Sequence, residues 1–460
     1  MFKFALPLFL ISSICHSADY QKLAERSVTL LRTLVEAETT GKDEEKVVNA
    51  VKKRFDSAGI PYEITEFAKG RKNIVARLKG NGSKKPMLIL AHSDVVSATN
   101  QPWSFPPHKI TEKDGFLYGR GVVDDLGYVA VVTELLVEIK NNKTVLDRDI
   151  IVAITGDEEK GGEGAKYLVA NKRSSIDAEF ALNEGGAGML YEDGNVEYIA
   201  LSAAEKIYQD FKVTATGTAG HSSTPNNDNP INRLSEGLAR LAKFKEPIQI
   251  IPVVESSLRA RVPLEKDPAL KKAMLAVANK PKNPPKDAIA LLEKNPMLNA
   301  ILKRTCVVTV VQAGAINMKN VLPSTAYANV NCRLLPGQEI ADTKEKLVEI
   351  FADPKITVEE EPAFGHSEAS SLDNPVVLAA NEVSKKMFKN VPVVPSLLTG
   401  GTDSRFLRAT GIPSYGIGPI FVTPSDRMFV HGANERMRPK ILPVGIEFFH
   451  NLILVLAEKK

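Results

Sequence analysis

Short apolar runs and longer amphipathic stretches alternate along most of the chain. Residues 20–34 and 44–58 carry apolar side chains at helical spacing, and Gly59-Ile60-Pro61 ends the second stretch. Residues 62–67 and 73–78 read as strands, and a polar turn at 80–85 leads into the apolar run 87–91. The runs 150–155 and 180–182 are also short, apolar and bounded by turn residues, as buried strands are. A helix is predicted over 129–140, ended by Asn141-Asn142. Strands alternating with helices predict an α/β core built on a mixed sheet.

The pattern changes near residue 206. Residues 207–216 alternate apolar and polar, 230–244 are helical, 306–311 and 326–335 are strands, 343–351 are helical and 356–361 form a last strand. Strand, helix, strand, strand, helix, strand is the order of a ferredoxin-like module. It is expected as an inserted lid over 206–365, interrupted by a Lys- and Pro-rich surface excursion at about 255–300. The α/β pattern resumes with a helix at 374–389, strands at 396–398 and 412–417, and a helix at 442–456. The expected division is therefore 19–205 with 366–460 as one catalytic domain, and 206–365 as the lid.

Composition narrows the class. The chain has 460 residues, 43% apolar and 25% charged, as an ordinary globular protein does, with a net charge of only +4. No basic stretch is interleaved with aromatics, so nucleic acid is not an expected partner. Lys3, the apolar run 4–14 and Ser17-Ala18 have the form of a secretory signal peptide over 1–18, with export to the periplasm or the exterior. That run is too short to span a bilayer, so no stable membrane insertion is expected. Beyond the leader lie two cysteines, Cys306 and Cys332. They sit 13 residues either side of position 319, in the loop between two predicted strands, which makes them cross-strand neighbours in a hairpin. A disulfide or two packed thiols would satisfy that placement, and a bulge would shift the register.

The acidic and histidine residues follow the apolar runs. The run 87–91 ends in His92-Ser93-Asp94, the run 150–155 in Gly156-Asp157-Glu158-Glu159, and the run 180–182 in Asn183-Glu184; Asp124-Asp125 follows a Gly119-Arg120-Gly121 turn. Ligands of open α/β sheets bind at the carboxyl ends of strands. Several carboxylates and an imidazole delivered to one sheet edge require a cation, and a dinuclear metal site satisfies that requirement. His92 and Asp94 point the same way along an extended segment, so Asp94 suits the task of fixing the imidazole. One of Glu158 and Glu159 can bind metal while the other serves as general base. Asp124 can bridge two metals through its two oxygens. Taken singly, each has a plainer reading: a structural His–Asp pair, a solvated acidic loop, a helix N-cap.

Together the stretches AHSDVV, LYGRGVVDDLG, TGDEE, NEGG, GTAGHSSTP, NVLPSTAYANVNCRLLPG, GGTDSRF and VHGANE resemble, in order, the metallopeptidase superfamily of aminoacylase, bacterial carboxypeptidase G, succinyl-diaminopimelate desuccinylase and carnosinase. The segment before Thr305 and the region of Trp103 look most like the branch of carboxypeptidase S, the Gly-Xaa carboxypeptidases and the secreted N-fatty-acyl amino acid hydrolases. The resemblance implies that His92, Asp124 and Glu184 hold one zinc and that Asp124, Glu159 and His431 hold the other. Two Zn²⁺ per chain are implied, with Co²⁺ or Mn²⁺ as substitutes. It further implies Asp94 as the orienting carboxylate, Glu158 as general base and His221 as oxyanion donor, which in dimeric relatives comes from the partner subunit. Arg333 would clamp a substrate carboxylate, with Asn320, Gly401 and Thr402 as further substrate contacts. A cis bond after Asp124 and a homodimer formed through the lid are implied as well. The substrate would be a small peptide or N-acyl amino acid. Leu126, His108 and Glu184 depart from common family residues; Glu184 in place of Asp leans towards acylase or carboxypeptidase action.

Two other readings compete. Gly365-His366-Ser367-Glu368-Ala369 approaches a serine-hydrolase elbow, but Ala369 stands where the last glycine belongs. A metal-free binding protein could retain the fold, yet every presumed ligand and the presumed base are intact.

Overall fold

The computed structural model describes residues 18–362, 365 and 368–459. The signal-peptide run and His366-Ser367 of the elbow-like motif lie outside the described residues. The chain opens with helices α1 (Tyr20–Val35) and α2 (Glu44–Ala58), strands β1 (Tyr62–Ala68), β2 (Arg71–Leu78) and β3 (Met87–His92), helix α3 (Leu126–Asn141), and strands β4 (Ile150–Thr155), β5 (Phe180–Leu190) and β6 (Val196–Glu205). A second layer follows: β7 (Ile207–Thr216), α4 (Pro230–Lys243), four helices α5 (Pro252–Arg261), α6 (Pro268–Asn279), α7 (Lys286–Leu292) and α8 (Pro296–Ile301), then β8 (Thr305–Ala313), β9 (Thr325–Leu334), α9 (Ile340–Phe351) and β10 (Ile356–Glu360). The chain returns through α10 (Pro375–Phe388), β11 (Val393–Leu398), β12 (Ser414–Val422) and α11 (Leu442–Ala457).

The large sheet runs β1-β2-β4-β3-β5-β12-β6-β11. It is mixed, as expected: β3 pairs parallel with β4 and β5, β12 parallel with β5, and β11 parallel with β6, while β1–β2 and β2–β4 are antiparallel. All six residues of β3 and of β4 are buried, which explains their unbroken apolar runs. The register His92↔Thr155 brings the ends of β3 and β4 level. Helix α3 is buried along nearly its whole length, so it shows little amphipathic contrast. The lid sheet runs β8-β9-β7-β10, all antiparallel, as the ferredoxin-like order requires.

Two expectations need revision, and one strand is added. Glu184 does not end its strand: β5 continues to Leu190, carrying Asn183-Glu184-Gly185-Gly186 within it. Strand β6 has no counterpart in the sequence reading, which stopped at the acidic group. Residues 252–301 are no surface excursion. Helix α5 packs on β11, and Val253, Leu258, Met274, Val277, Leu292 and Leu298 join the main hydrophobic core. The Lys- and Pro-rich turns between these short helices mask their apolar faces.

Cys306 and Cys332 are direct register partners and form a disulfide. The bulge exists, but it lies between Val308 and Val310, nearer the hairpin loop than the cysteines. Closing a loop of 26 residues removes about 3.5 kcal/mol of unfolded-chain entropy. Thiol titration of the unreduced, unfolded chain from residue 19 should find no free thiol. The Cys306→Ala, Cys332→Ala double variant should lose about 2–4 kcal/mol in urea unfolding; two free thiols would refute the bridge.

Candidate active site

His92 is the last residue of β3 and is almost fully buried. Its main-chain N–H donates to Asp125 Oδ2 at 3.1 Å, and its Nδ1 lies 3.0 Å from the Asp94 carbonyl oxygen. The Asp94 carboxylate stands 3.6 Å from Nδ1, beyond good hydrogen-bond length. It accepts instead from the N–H groups of Glu158 at 3.0 Å and Glu159 at 3.1 Å. Asp94 therefore ties the end of β3 to the acidic loop after β4, a wider task than the one read from its spacing.

Asp124 stands between two imidazoles. Oδ1 lies 3.0 Å from His92 Nε2 and Oδ2 lies 3.0 Å from His431 Nε2. Glu159 Oε2 is 3.1 Å from His431 Nε2, and Glu184 Oε1 is 4.0 Å from His92 Nε2. The Asp124–Asp125 peptide bond is cis. Burial alone would raise the Asp124 carboxyl, but the two imidazoles hold it well below the usual carboxylate range. Hydrogen bonds to Asp124 and then Glu159 push His431 up to about 10. Burial raises Glu158 and Glu184; neighbouring like charges, Asp403 for Glu158 and Asp124 for Glu184, add to this.

The donors fit a pair of divalent metals. Tetrahedral ligands at about 2.0–2.1 Å from zinc lie roughly 3.3 Å apart, close to the spacings around Asp124. Glu159 Oε1 is buried without a hydrogen-bond partner, as a ligand oxygen would be in a protein-only structure. Two groups have donor atoms within 4.8 Å of one another: His92, Asp124 and Glu159, and His92, Glu158 and Glu184. Both differ from the sequence-implied sets, because His92 stands at the centre and Glu158 is as close as a ligand. Closeness alone does not separate the ligand Glu184 from the base Glu158; Glu158 is also 3.9 Å from Arg405 Nη1.

A cleft of about 800 Å³ opens over this cluster, lined by Asp124, Glu158, Glu159, Glu184 and His431 on one side and Tyr208 and Arg333 of the lid on the other. Arg333 stacks 4.3 Å from the Tyr208 ring centre and reaches towards the Thr399 carbonyl at 3.5 Å. Gly401 and Thr402 line the cleft, but the Thr402 hydroxyl donates to Glu205 Oε2 at 2.9 Å. His221 and Asn320 are not brought to it. His221 lies on an exposed two-stranded ribbon, where it pairs with Val321 in register and its Nδ1 meets Ser223 Oγ at 2.7 Å, and Asn320 is an exposed turn residue just before the second strand of that ribbon.

Arg120 and Glu435 escaped the sequence reading. Both are fully buried and pair at 2.8 Å. Glu435 also accepts from the N–H groups of Gly121, Val123 and Asp124, while Arg120 donates to the carbonyls of His431 and Gly432. The pair clasps the loop bearing Asp124 to the loop bearing His431, and Trp103 covers Arg120 with its ring 5.1 Å away. A lone Arg between two glycines and a Glu four residues after a His were the available signals. Arg405 and Asp125, both buried, have no role in the sequence pattern either, while Asp403, also buried, ends the Gly400–Asp403 loop expected to contact substrate.

Two outcomes follow. Glu435→Ala strands a buried guanidinium, so the metal-free protein should lose about 3–5 kcal/mol in urea unfolding; a loss below 1 kcal/mol would deny the clasp. For His431, the raised pKa makes its stabilising contribution complete below pH 6.5, lost as pH rises through about 10. A divalent cation held by His431 would have to displace that proton, so affinity for added Zn²⁺ should climb over the same window. Calorimetry in buffers of different ionisation heat should detect proton release at pH 8, and none would contradict the assignment.

Similar proteins agree with this architecture. Residues 88–455 match the model of Peptidase family M20/M25/M40. The human N-fatty-acyl-amino acid synthase/hydrolase PM20D1 is 29% identical over 81% of this chain and 74% of its own length. The probable carboxypeptidase S-like 1 of Dictyostelium discoideum is 28% identical over 80% and 72%. The M20 family metallo-carboxypeptidase Sso-CP2 of Sulfolobus solfataricus superposes with a TM-score of 0.70 at 18% identity, over 93% of this chain and 98% of that one. The chain belongs to Peptidase family M20/M25/M40, metal-dependent hydrolases of amide and peptide bonds.

Proposed function

We propose that the protein is an exported dizinc hydrolase that cleaves an amide or peptide bond next to an amino acid with a free carboxylate. The observation that carries this reading is Asp124, with one oxygen 3.0 Å from each of two imidazoles, beside the buried carboxylate of Glu158. His92, Asp124 and Glu184 would hold one metal, and Asp124, Glu159 and His431 the other. Bound metals supply Lewis acidity, which polarises the scissile carbonyl and acidifies water.

The remaining work falls to side chains. Glu158 accepts the proton of the attacking water and returns it to the leaving amine; its raised affinity for a proton suits both halves of that transfer. Arg333, walled by Tyr208, offers a guanidinium fork to the substrate carboxylate, with Gly401 as a main-chain contact. His221 donates to the carbonyl oxygen as negative charge develops there. Because His221 is exposed and outside the cleft lining, it must be delivered by lid movement or by a second copy. Strand β8 supports the homodimer: it is an edge strand whose Val307, Val308, Val310 and Val311 are 38–58% exposed. In this reading 19–205 with 366–460 bind metal and 206–365 form the lid. Residues 1–18 direct export to the periplasm or exterior; no helix of the described residues is long and apolar enough to cross a membrane.

Glu158→Gln should retain both metals and lose about 10²–10⁴-fold in kcat, since an amide takes no proton from water. Asp124→Ala should lose metal by elemental analysis. His221→Ala should lower kcat with metal content unchanged. A fully active Glu158→Gln enzyme, or amidase activity indifferent to chelators, would sink the reading.

A further inference from the structure

The lid is joined to the rest of the molecule at more places than an inserted module requires. A crossing after Glu205 and a return near Glu361 would suffice. Helices α5–α8 add two more crossings, because they lie between lid elements in sequence yet pack in the main core. Leu241 belongs to the lid core, Val253 and Leu302 to the main core, and the lid strand β8 opens at Thr305. The chain therefore leaves the lid between 241 and 253 and re-enters it between 302 and 305.

One buried side chain ties these crossings together. Lys206, between β6 and β7, is 1% exposed. Its Nζ donates to the carbonyls of Ala300 at 2.8 Å and Lys303 at 2.9 Å and to Thr305 Oγ1 at 3.1 Å, so every ammonium proton is used on the third crossing. Its main-chain N–H donates to the Leu398 carbonyl at 2.9 Å, at the start of the loop that carries Gly401 and Thr402. Neighbouring bonds extend the knot. Arg304 pairs with Glu246 of the second crossing at 2.6 Å and donates to Thr343 Oγ1 of α9 at 2.8 Å. Gln209 donates from Nε2 to the Glu361 carbonyl at 2.7 Å. A buried ammonium held by three neutral oxygens is costly, and an apolar side chain would fill the same space at less cost.

What the knot holds is Arg333. Thr305 is the register partner of Arg333 on β9, and Arg333 is in turn the partner of Tyr208, two residues from Lys206. The guanidinium is close enough to press on the ammonium: burial, and then the charge of Arg333, lower Lys206 to about 7, with Glu246 opposing the fall and Lys303 adding to it. Arg333 and Tyr208 line the cleft, and Lys206 stands behind them. We propose that Lys206 is a positioning residue: it staples α5–α8 to the root of the lid and so fixes the height of Arg333 over the cleft without touching substrate. The inference rests on the amide-hydrolase reading above, in which Arg333 receives the substrate carboxylate.

The test compares Lys206→Met, Thr305→Val, Arg333→Ala and the Lys206→Met, Arg333→Ala double variant of the zinc-loaded enzyme on N-acetyl-leucine and glycyl-leucine. Lys206→Met keeps the length of the side chain and removes its donors. It should raise KM about tenfold and change kcat less than about threefold, the pattern of binding lost equally from ground and transition states. Thr305→Val removes one acceptor and should raise KM about two- to threefold; it carries the test should Lys206→Met fail to fold. The double variant should match the kcat/KM of Arg333→Ala to within about twofold, since one residue acts through the other. Losses that multiply in the double variant, a fall confined to kcat, or an unchanged KM in both Lys206→Met and Thr305→Val would overturn the assignment. Hydrogen exchange reads the staple without catalysis: in the metal-free protein Lys206→Met should speed exchange in 207–213 and 305–311 and leave 87–92 unchanged. Exchange unaltered by Lys206→Met would overturn the staple by itself. Wild-type enzyme that hydrolyses neither compound would instead overturn the amide-hydrolase reading, and the positioning role with it.

Discussion

Too much negative charge occupies one end of one sheet, and the rest of the molecule is arranged around that fact. Asp94, Asp124, Asp125, Glu158, Glu159, Glu184 and Asp403 converge where β3, β4 and β5 approach the cleft, and each is mostly or wholly buried. Buried carboxylates are costly unless paired or hydrogen-bonded. Main-chain N–H groups neutralise part of the cost at Asp94 and Asp125. Two imidazoles neutralise more at Asp124 and Glu159, and Arg405 lies near Glu158. The negative charge left over is what a bound cation would neutralise.

Two carboxylates keep this arrangement in register without facing substrate. Asp94 binds the backbone of the Glu158-Glu159 loop, and Glu435 binds that of the Asp124 loop while gripping Arg120. Each joins two chain segments that carry different donors. The spacing of the candidate ligands is therefore fixed by buried main-chain hydrogen bonds, which a half-exposed residue such as His431 could not maintain by itself. The cleft above is freer: its lid side brings aromatic and cationic groups, and its far side is apolar.

Much of this was legible in the sequence because strand ends announce themselves. The runs 87–91 and 150–155 are apolar throughout since both faces are covered, and the donors after them mark the carboxyl edge. What stayed hidden had specific causes. Strand β5 was cut short because Glu184 looks like a terminus, yet the glycines after it continue the strand against β12. Once β5 was ended too soon, β6 lost its antiparallel partner and went unread. The 252–301 helices are short and capped by Lys- and Pro-rich turns, so composition outweighed periodicity. Asp94 was given the right neighbourhood and too small a task, because alternation along a strand predicts direction but no contact with a different loop. Arg120 and Glu435 are 315 positions apart, a distance no local pattern bridges.

The position of β12 has a consequence for how the chain reaches this state. Strands β5 and β6 end at 190 and 205, but β12, which pairs with both, does not begin until 414. The middle of the large sheet is thus closed by nearly the last strand to be synthesised, followed by only one long helix. Until then β5 and β6 are joined only near their shared turn, at 188–190 and 196–199, and the part of the seam that β12 fills keeps unpaired N–H and C=O groups flanked by apolar surface. Such long-range pairing is slow and exposes sticky edges. The lid, whose strands all lie between 207 and 360, can fold while the sheet is still waiting. Vectorial synthesis would therefore complete the smaller module first and assemble the metal-binding edge last, when His431 emerges just behind the strand that closes the seam.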